Sequence, residues 1–168
     1  MVSLIKNKIN RNRALEKPIQ DGEILRLHRL LKQEIKIRFK SKLKIYILDT
    51  GSCNACELEL QALFTPLYDI QKLGVEVVYD VREAELLIIT GVLTENMYPL
   101  CIETYHALKE PKYLITVGDC PLAQAPFRDT FAIKGQLGSH FFINFKITGC
   151  PPNPRDILRG LLKFLQKI

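Results

Sequence analysis

From Lys42 onward, short apolar runs of strand length alternate with longer segments whose apolar residues recur at three- and four-residue spacing. Leu43 to Leu48 is β-rich and closes at Asp49; Ala55 to Leu73 follows a helical pattern stopped by Gly74, with Pro66 expected to kink or interrupt it. Val75 to Tyr79 is the next expected strand, and Arg82 to Glu85 is a polar bridge. Leu86 to Thr90 is wholly apolar up to its threonine and suits a buried parallel strand better than a helix. Tyr98 to Leu108 reads as a helix, Lys112 to Val117 as a fourth strand, and Asn153 with Pro154 opens a last helix running to Lys167. This alternation predicts an α/β domain over residues 42–168, built on an open, mostly parallel sheet.

Residues 1–41 read differently. Ile24, Leu27, Leu30, Leu31 and Ile35 form one apolar stripe on a helix otherwise rich in Lys and Arg. Residues 1–44 hold 13 Lys or Arg against four acidic groups, while the remainder holds 11 against 14. The net charge of +6 is therefore a +9 extension followed by a domain of −3. Such a stripe needs a surface to cover it. That surface is either the protein's own domain, another subunit, or an anionic membrane. Nucleic acid is the weakest partner, because Phe39 alone interleaves an aromatic ring with the basic residues.

At 168 residues with 47% hydrophobic content the chain can bury an ordinary core. Its longest aliphatic run, Leu86 to Ile89, is far below the roughly 18 to 20 residues that span a bilayer. The basic N-terminus lacks the apolar stretch of a secretory signal, so a cytoplasmic location is expected. Five cysteines in a reducing compartment point to metal or redox use rather than to disulfides.

Four of those cysteines stand just past strands or in tight loops: Cys53 and Cys56 after the first strand, Cys120 after the fourth, and Cys150 in the Gly-Cys-Pro-Pro turn before the last helix. Open parallel sheets bring such positions together at one edge. Four soft thiolates suit either a tetrahedral zinc ion or an iron-sulfur cubane. The second pair is divided between two separate loops, Gly118-Asp119-Cys120-Pro121 and Gly149-Cys150-Pro151-Pro152, which favours the bulkier cluster. A zinc-binding structural or interaction module is the alternative of another class. Cys101, between Leu100 and Ile102, is expected only to pack.

The segments Asp49-Thr50-Gly51-Ser52-Cys53-Asn54-Ala55-Cys56-Glu57-Leu58-Glu59, Val117-Gly118-Asp119-Cys120 and Gly149-Cys150-Pro151-Pro152-Asn153-Pro154 resemble the small, electron-transferring subunit of membrane-bound, energy-converting NiFe hydrogenases. The same family includes the 20 kDa-type subunit of respiratory complex I. The resemblance implies a flavodoxin-like fold with helices on both faces of the sheet. It also implies one 4Fe-4S cluster ligated by Cys53, Cys56, Cys120 and Cys150. The implied partners are a large catalytic subunit carrying a NiFe centre, a ferredoxin-like iron-sulfur subunit, and membrane subunits reached through residues 1–40. The whole would lie peripherally on the cytoplasmic side of the cell membrane. Complex I relatives begin the ligand set with two adjacent cysteines, whereas this chain has Cys53-x-x-Cys56, which puts the hydrogenase ahead of an equivalent quinone- or sulfur-reducing oxidoreductase. Ala55 and the run Pro121-Leu122-Ala123-Gln124-Ala125-Pro126 depart from the family pattern without touching the ligands.

Around the cysteines, Glu57 and Glu59 open the helix where its N-terminal dipole favours carboxylates; a second reading makes Glu57 a proton relay. Asp119 is expected to shape the third ligand loop by an Asx-type turn. His28, His106 and His140 are expected to ligate nothing.

Overall fold

The structure, a computed structural model, describes residues 21–40, 42–122 and 130–168. Its strands in chain order are β1 (Leu43–Asp49), β2 (Val75–Val77), β3 (Leu86–Thr90), β4 (Leu93–Thr94), β5 (Tyr113–Val117), β6 (Ile133–Gly135) and β7 (Phe145–Ile147). Five of them pair in the order β2-β1-β3-β5-β7, every pairing parallel, and β4 pairs antiparallel with β6 as a small separate ribbon. The chain leaves β1 for the edge strand β2, then crosses back to β3 and continues outward. The direction of winding thus reverses between β1 and β3, the arrangement of a flavodoxin-like sheet.

Alternation along the strands divides the interior in two. Leu43, Ile45, Leu86, Ile88, Ile115 and Val117 face one core, while Leu48, Leu87, Ile89 and Leu114 face the other. The first core is covered by helices α1 (Gly22–Phe39), α2 (Ala55–Ala62) and α4 (Pro154–Lys167), the second by α3 (Tyr98–Ala107). Helices therefore lie on both faces, as expected. β3 is buried along its whole length, which is why its sequence shows no polar alternation.

The apolar stripe of the basic extension is covered from within the chain. Leu27, Leu31 and Ile35 of α1 share a core with Ile157, Leu158, Leu161 and Leu165 of α4. Asp21 caps α1 by accepting hydrogen bonds from the Glu23 and Ile24 amides at 3.0 and 3.4 Å. It also pairs with Arg155 at 2.5 Å, while Glu23 pairs with Arg159. Both ion pairs join the starts of α1 and α4, so the two helices run side by side in the same direction. Residues 22–39 and the sheet domain thus share one hydrophobic core. The sequence boundary at residue 41 marks a change in charge, and Lys6, Lys8, Arg11, Arg13 and Lys17 lie outside the described residues.

The helix expected from Ala55 to Leu73 ends at Ala62 and is followed by turns and a short 3-10 segment, Ile70–Leu73. Pro66 explains the stop, since a proline ring in a helix collides with the carbonyl four residues earlier, here that of Ala62. β2 stops at Val77, two residues short of the expected Tyr79. The fifth parallel strand, β7, and the β4–β6 ribbon have no counterpart in the sequence reading. Each is only two or three residues long, and β7 carries the exposed Lys146 at its middle, so no periodic pattern can develop.

Candidate metal centre

All four candidate ligands lie beyond the carboxyl ends of parallel strands, on loops fastened to one another. After β1, the Asp49 carboxylate accepts hydrogen bonds from the Gly51 and Ser52 amides at 2.8 and 2.7 Å, and the Ser52 hydroxyl accepts one from the Asn54 amide at 3.0 Å. The buried Thr50 hydroxyl donates to the Thr90 carbonyl at 2.9 Å, and Thr94 donates to the Thr50 carbonyl at 2.9 Å. These bonds tie the first ligand loop to the end of β3. Cys53 is left exposed on that loop, whereas Cys56, in the first turn of α2, is 7% exposed.

The third and fourth ligand loops hold each other. The Gly118 amide donates to the Ile147 carbonyl at 2.9 Å, continuing the β5–β7 pairing past its end. The Asp119 amide donates to the Gly149 carbonyl at 3.0 Å, and the Gly149 amide donates to the Asp119 carboxylate at 2.8 Å. Among the described residues the Asp119 carboxylate thus acts across the sheet edge, on the loop of Cys150, a contact that the expected Asx-type turn did not include. Gly118, at φ +95°, is the meeting point of the set: a Cβ there would lie 2.7 Å from the Cys56 Sγ and 3.7 Å from the Gly149 carbonyl oxygen. Gly149, at φ +138°, similarly has no room for a Cβ, which would stand 2.7 Å from the Pro152 Cα. Glycine is required at both positions for the thiol-bearing loops to close on one another.

The thiols form one electrostatic set. Burial pushes the Cys56 thiol up to about 12, reinforced by the charges of Glu57, Cys120, Cys53 and Cys150. Cys120 is raised by burial and then by Cys150, Cys53 and Asp119. Among the described residues, no group of three or more His, Cys, Asp or Glu side chains is gathered as one metal ion requires. The four thiols are thus near enough to act on one another's charge without meeting at a single point. As a donor set, four thiols on loops that close on one another through glycine fit a thiolate-bound group, whose positive charge would reverse the upward push on Cys56 and Cys120.

Glu57 follows Cys56 directly, and both its carboxylate oxygens are buried without a hydrogen-bond partner among the described residues. It lines a cavity of about 620 Å³ with Ile47, Leu60, Phe64, Gln71 and Val77, at the open edge formed by β2. Cys101 is fully buried in the opposite core, where burial alone pushes its thiol up to about 12, the environment of a packing residue. His140 is occupied by Tyr98, whose hydroxyl lies 3.3 Å from its Nδ1, and His106 is exposed on α3. Neither acts on Cys56 or Cys120. The role of Asp49 escaped the sequence reading, although an aspartate directly before Thr-Gly-Ser at a strand end is the signature of such a turn.

The chain is similar to known proteins along most of its length. The chain is 32% identical over 124 residues to a protein of Pyrococcus furiosus described as probable membrane-bound hydrogenase subunit mbhJ, covering 74% of each chain. It is 35% identical over 114 residues to an NADH-quinone oxidoreductase subunit of Carboxydothermus hydrogenoformans, covering 67% of this chain and 69% of the relative. Among solved structures, a chain of the membrane-bound sulfane sulfur reductase, an archaeal respiratory membrane complex, superposes with a TM-score of 0.67 at 27% identity over 82% of this chain and 73% of that one. The family described as NADH ubiquinone oxidoreductase, 20 Kd subunit, matches residues 53–164, from the first ligand cysteine into the last helix, and the chain belongs to that family.

Proposed function

We propose that this protein is the electron-transfer subunit of a membrane-bound, ion-translocating NiFe hydrogenase, with Cys53, Cys56, Cys120 and Cys150 holding one 4Fe-4S cluster. The observation that carries the reading is the convergence of four thiols, from three loops, at the carboxyl edge of one parallel sheet. Such a cluster, when bound, takes up and returns one electron at a time. The chain's part is to hold it. Cys56 supplies a buried ligand on the first turn of α2, and Cys53 and Cys150 supply ligands at the exposed rim. Asp119 keeps the two later loops at fixed separation through its paired bonds with Gly149. The exposed rim, with Leu58 standing free beside it, is the face toward a large catalytic subunit that would carry the NiFe centre. A ferredoxin-like iron-sulfur subunit would complete the path on the cytoplasmic side of the membrane. Glu57, next to Cys56 and with both carboxylate oxygens buried, is the residue assigned to carry a proton there.

A second reading is favoured by one observation, the likeness to the sulfane sulfur reductase chain. In that case the same relay delivers electrons to a sulfur-reducing site in the partner. The intact complex, purified without oxygen, decides between these readings. We expect about four irons and four sulfides for this chain, and hydrogen evolution rather than sulfur reduction with a low-potential donor. A Cys120→Ser variant should lose or convert the cluster and stop electron flow. Colourless protein with one zinc per chain would replace both readings by the zinc module.

A further inference from the structure

Because the apolar stripe of α1 is spent on the protein's own core, the face of that helix left to solvent is the opposite one. It presents Arg26, Arg29, Lys32, Lys36 and Lys40, all exposed, together with Gln33. Among the described residues none of these five cations enters a salt bridge, and no carboxylate shares their face. The acidic residues of α1 lie toward its flank and are occupied: Glu23 pairs with Arg159, and Glu34 pairs with Arg38 at 3.2 Å. Two aliphatic side chains stand out beside the cations, Leu25 at 49% and Ile37 at 67% exposure. Toward the C-terminal end of α1, Lys32, Lys36 and Lys40 join Lys42 and Lys72 around a groove of about 330 Å³. Lys42 and Lys72 are there neutralised by Glu76 and Asp69, which leaves three unpaired ammonium groups on its wall.

We propose that the outer face of α1 is a docking surface for anionic phospholipid. The face carries five unpaired cations along a helix about 27 Å long, and its aliphatic tips can enter the boundary between headgroups and acyl chains. Long lysine stems around Leu25 and Ile37 match a fluid array of phosphates. An acidic protein partner would instead call for a shaped recess along the whole face, and beyond the lysine groove at its C-terminal end this face is the convex side of a single helix. No described helix is long and apolar enough to cross a membrane. The surface is new relative to the sequence expectation, which looked to the apolar stripe for a membrane contact.

The test is flotation of the full-length chain with vesicles of phosphatidylcholine, with and without about one third phosphatidylglycerol. Binding should require the anionic lipid and weaken with salt. The Lys32→Glu, Lys36→Glu, Lys40→Glu triple variant should bind about a hundredfold less while keeping its circular dichroism spectrum. If it fails to fold, the milder Arg29→Gln, Lys36→Gln pair serves, with a loss of about tenfold expected. Replacing Lys6, Lys8, Arg11 and Arg13 by Gln should leave most of the binding in place. Binding that disappears only in this last variant overturns the proposal. So does equal binding to neutral vesicles, or a triple variant that floats like the parent, or a loss confined to subunit association with no vesicle binding at all. Flotation is read with or without a cluster, so its outcome is separate from that of the electron-relay reading.

Discussion

At Gly118 a single hydrogen atom in place of a methyl group decides whether the Cys56 and Cys120 loops can approach. The φ of +95° already disfavours any side chain, and a Cβ 2.7 Å from the Cys56 sulfur would have to displace a ligand. Gly118→Ala is expected to cost about 1–3 kcal/mol in the cluster-free chain through backbone strain alone. On the proposed cluster assignment it should also lower the iron recovered per chain, because the displaced atom is one of the proposed donors. Thermal unfolding and iron analysis of the variant, side by side, check the two effects separately. The four cysteines could be picked out from sequence because thiols are rare and their loops are marked by Gly and Pro. Asp119 was legible only as a loop-former. Its actual bond reaches the amide of a residue 30 positions away, a distance that local turn rules do not cover.

Helix α1 shows what periodicity can and cannot tell. The stripe of Ile24, Leu27, Leu31 and Ile35 was evident from spacing, and each of these side chains is at least 93% buried. Spacing identifies a face without identifying what covers it, and α4, the cover, lies more than a hundred residues away. Ile35→Ala, emptying a fully enclosed site, is expected to destabilise the whole domain by about 2–5 kcal/mol, seen as one cooperative shift in a urea unfolding curve. A separately folding extension would leave that curve in place. The same packing bears on His28, whose Nε2 is buried without a partner among the described residues. Burial holds its imidazole below the usual histidine value, against the opposing charge of Asp69, which itself pairs with Lys72. The unfolded chain therefore binds the proton first as pH falls. Stability should decline as pH drops through about 6.5, the ordinary histidine range, and level off below the folded value. His28→Gln should flatten that part of the stability profile. β7 was missed for a different reason. Three residues on the outside of a sheet supply too little pattern to separate from loop, yet this strand carries the chain to Cys150.

The molecule as a whole is polar from end to end. Thiol-bearing loops occupy the carboxyl edge of the sheet, and the lysine groove lies by Lys42 and Gly74, at the starts of β1 and β2. The parallel sheet followed from the alternation of strands and helices, because a crossover helix returns the chain to the same edge, whereas the flavodoxin-like strand order with its reversal was implied only by the family resemblance. The placement of α1 on α4 has a consequence for biosynthesis. A ribosome releases α1 early and α4 last, so the stripe of α1 has no cover while the polypeptide is still being made. Cys150 emerges just ahead of α4, leaving the proposed donor set one thiol short until that segment has left the exit tunnel. Completion of the core and completion of the proposed donor set therefore come together once α4 has emerged, and a nascent chain held short of α4 would expose a greasy, basic helix to whatever chaperone or membrane it meets first.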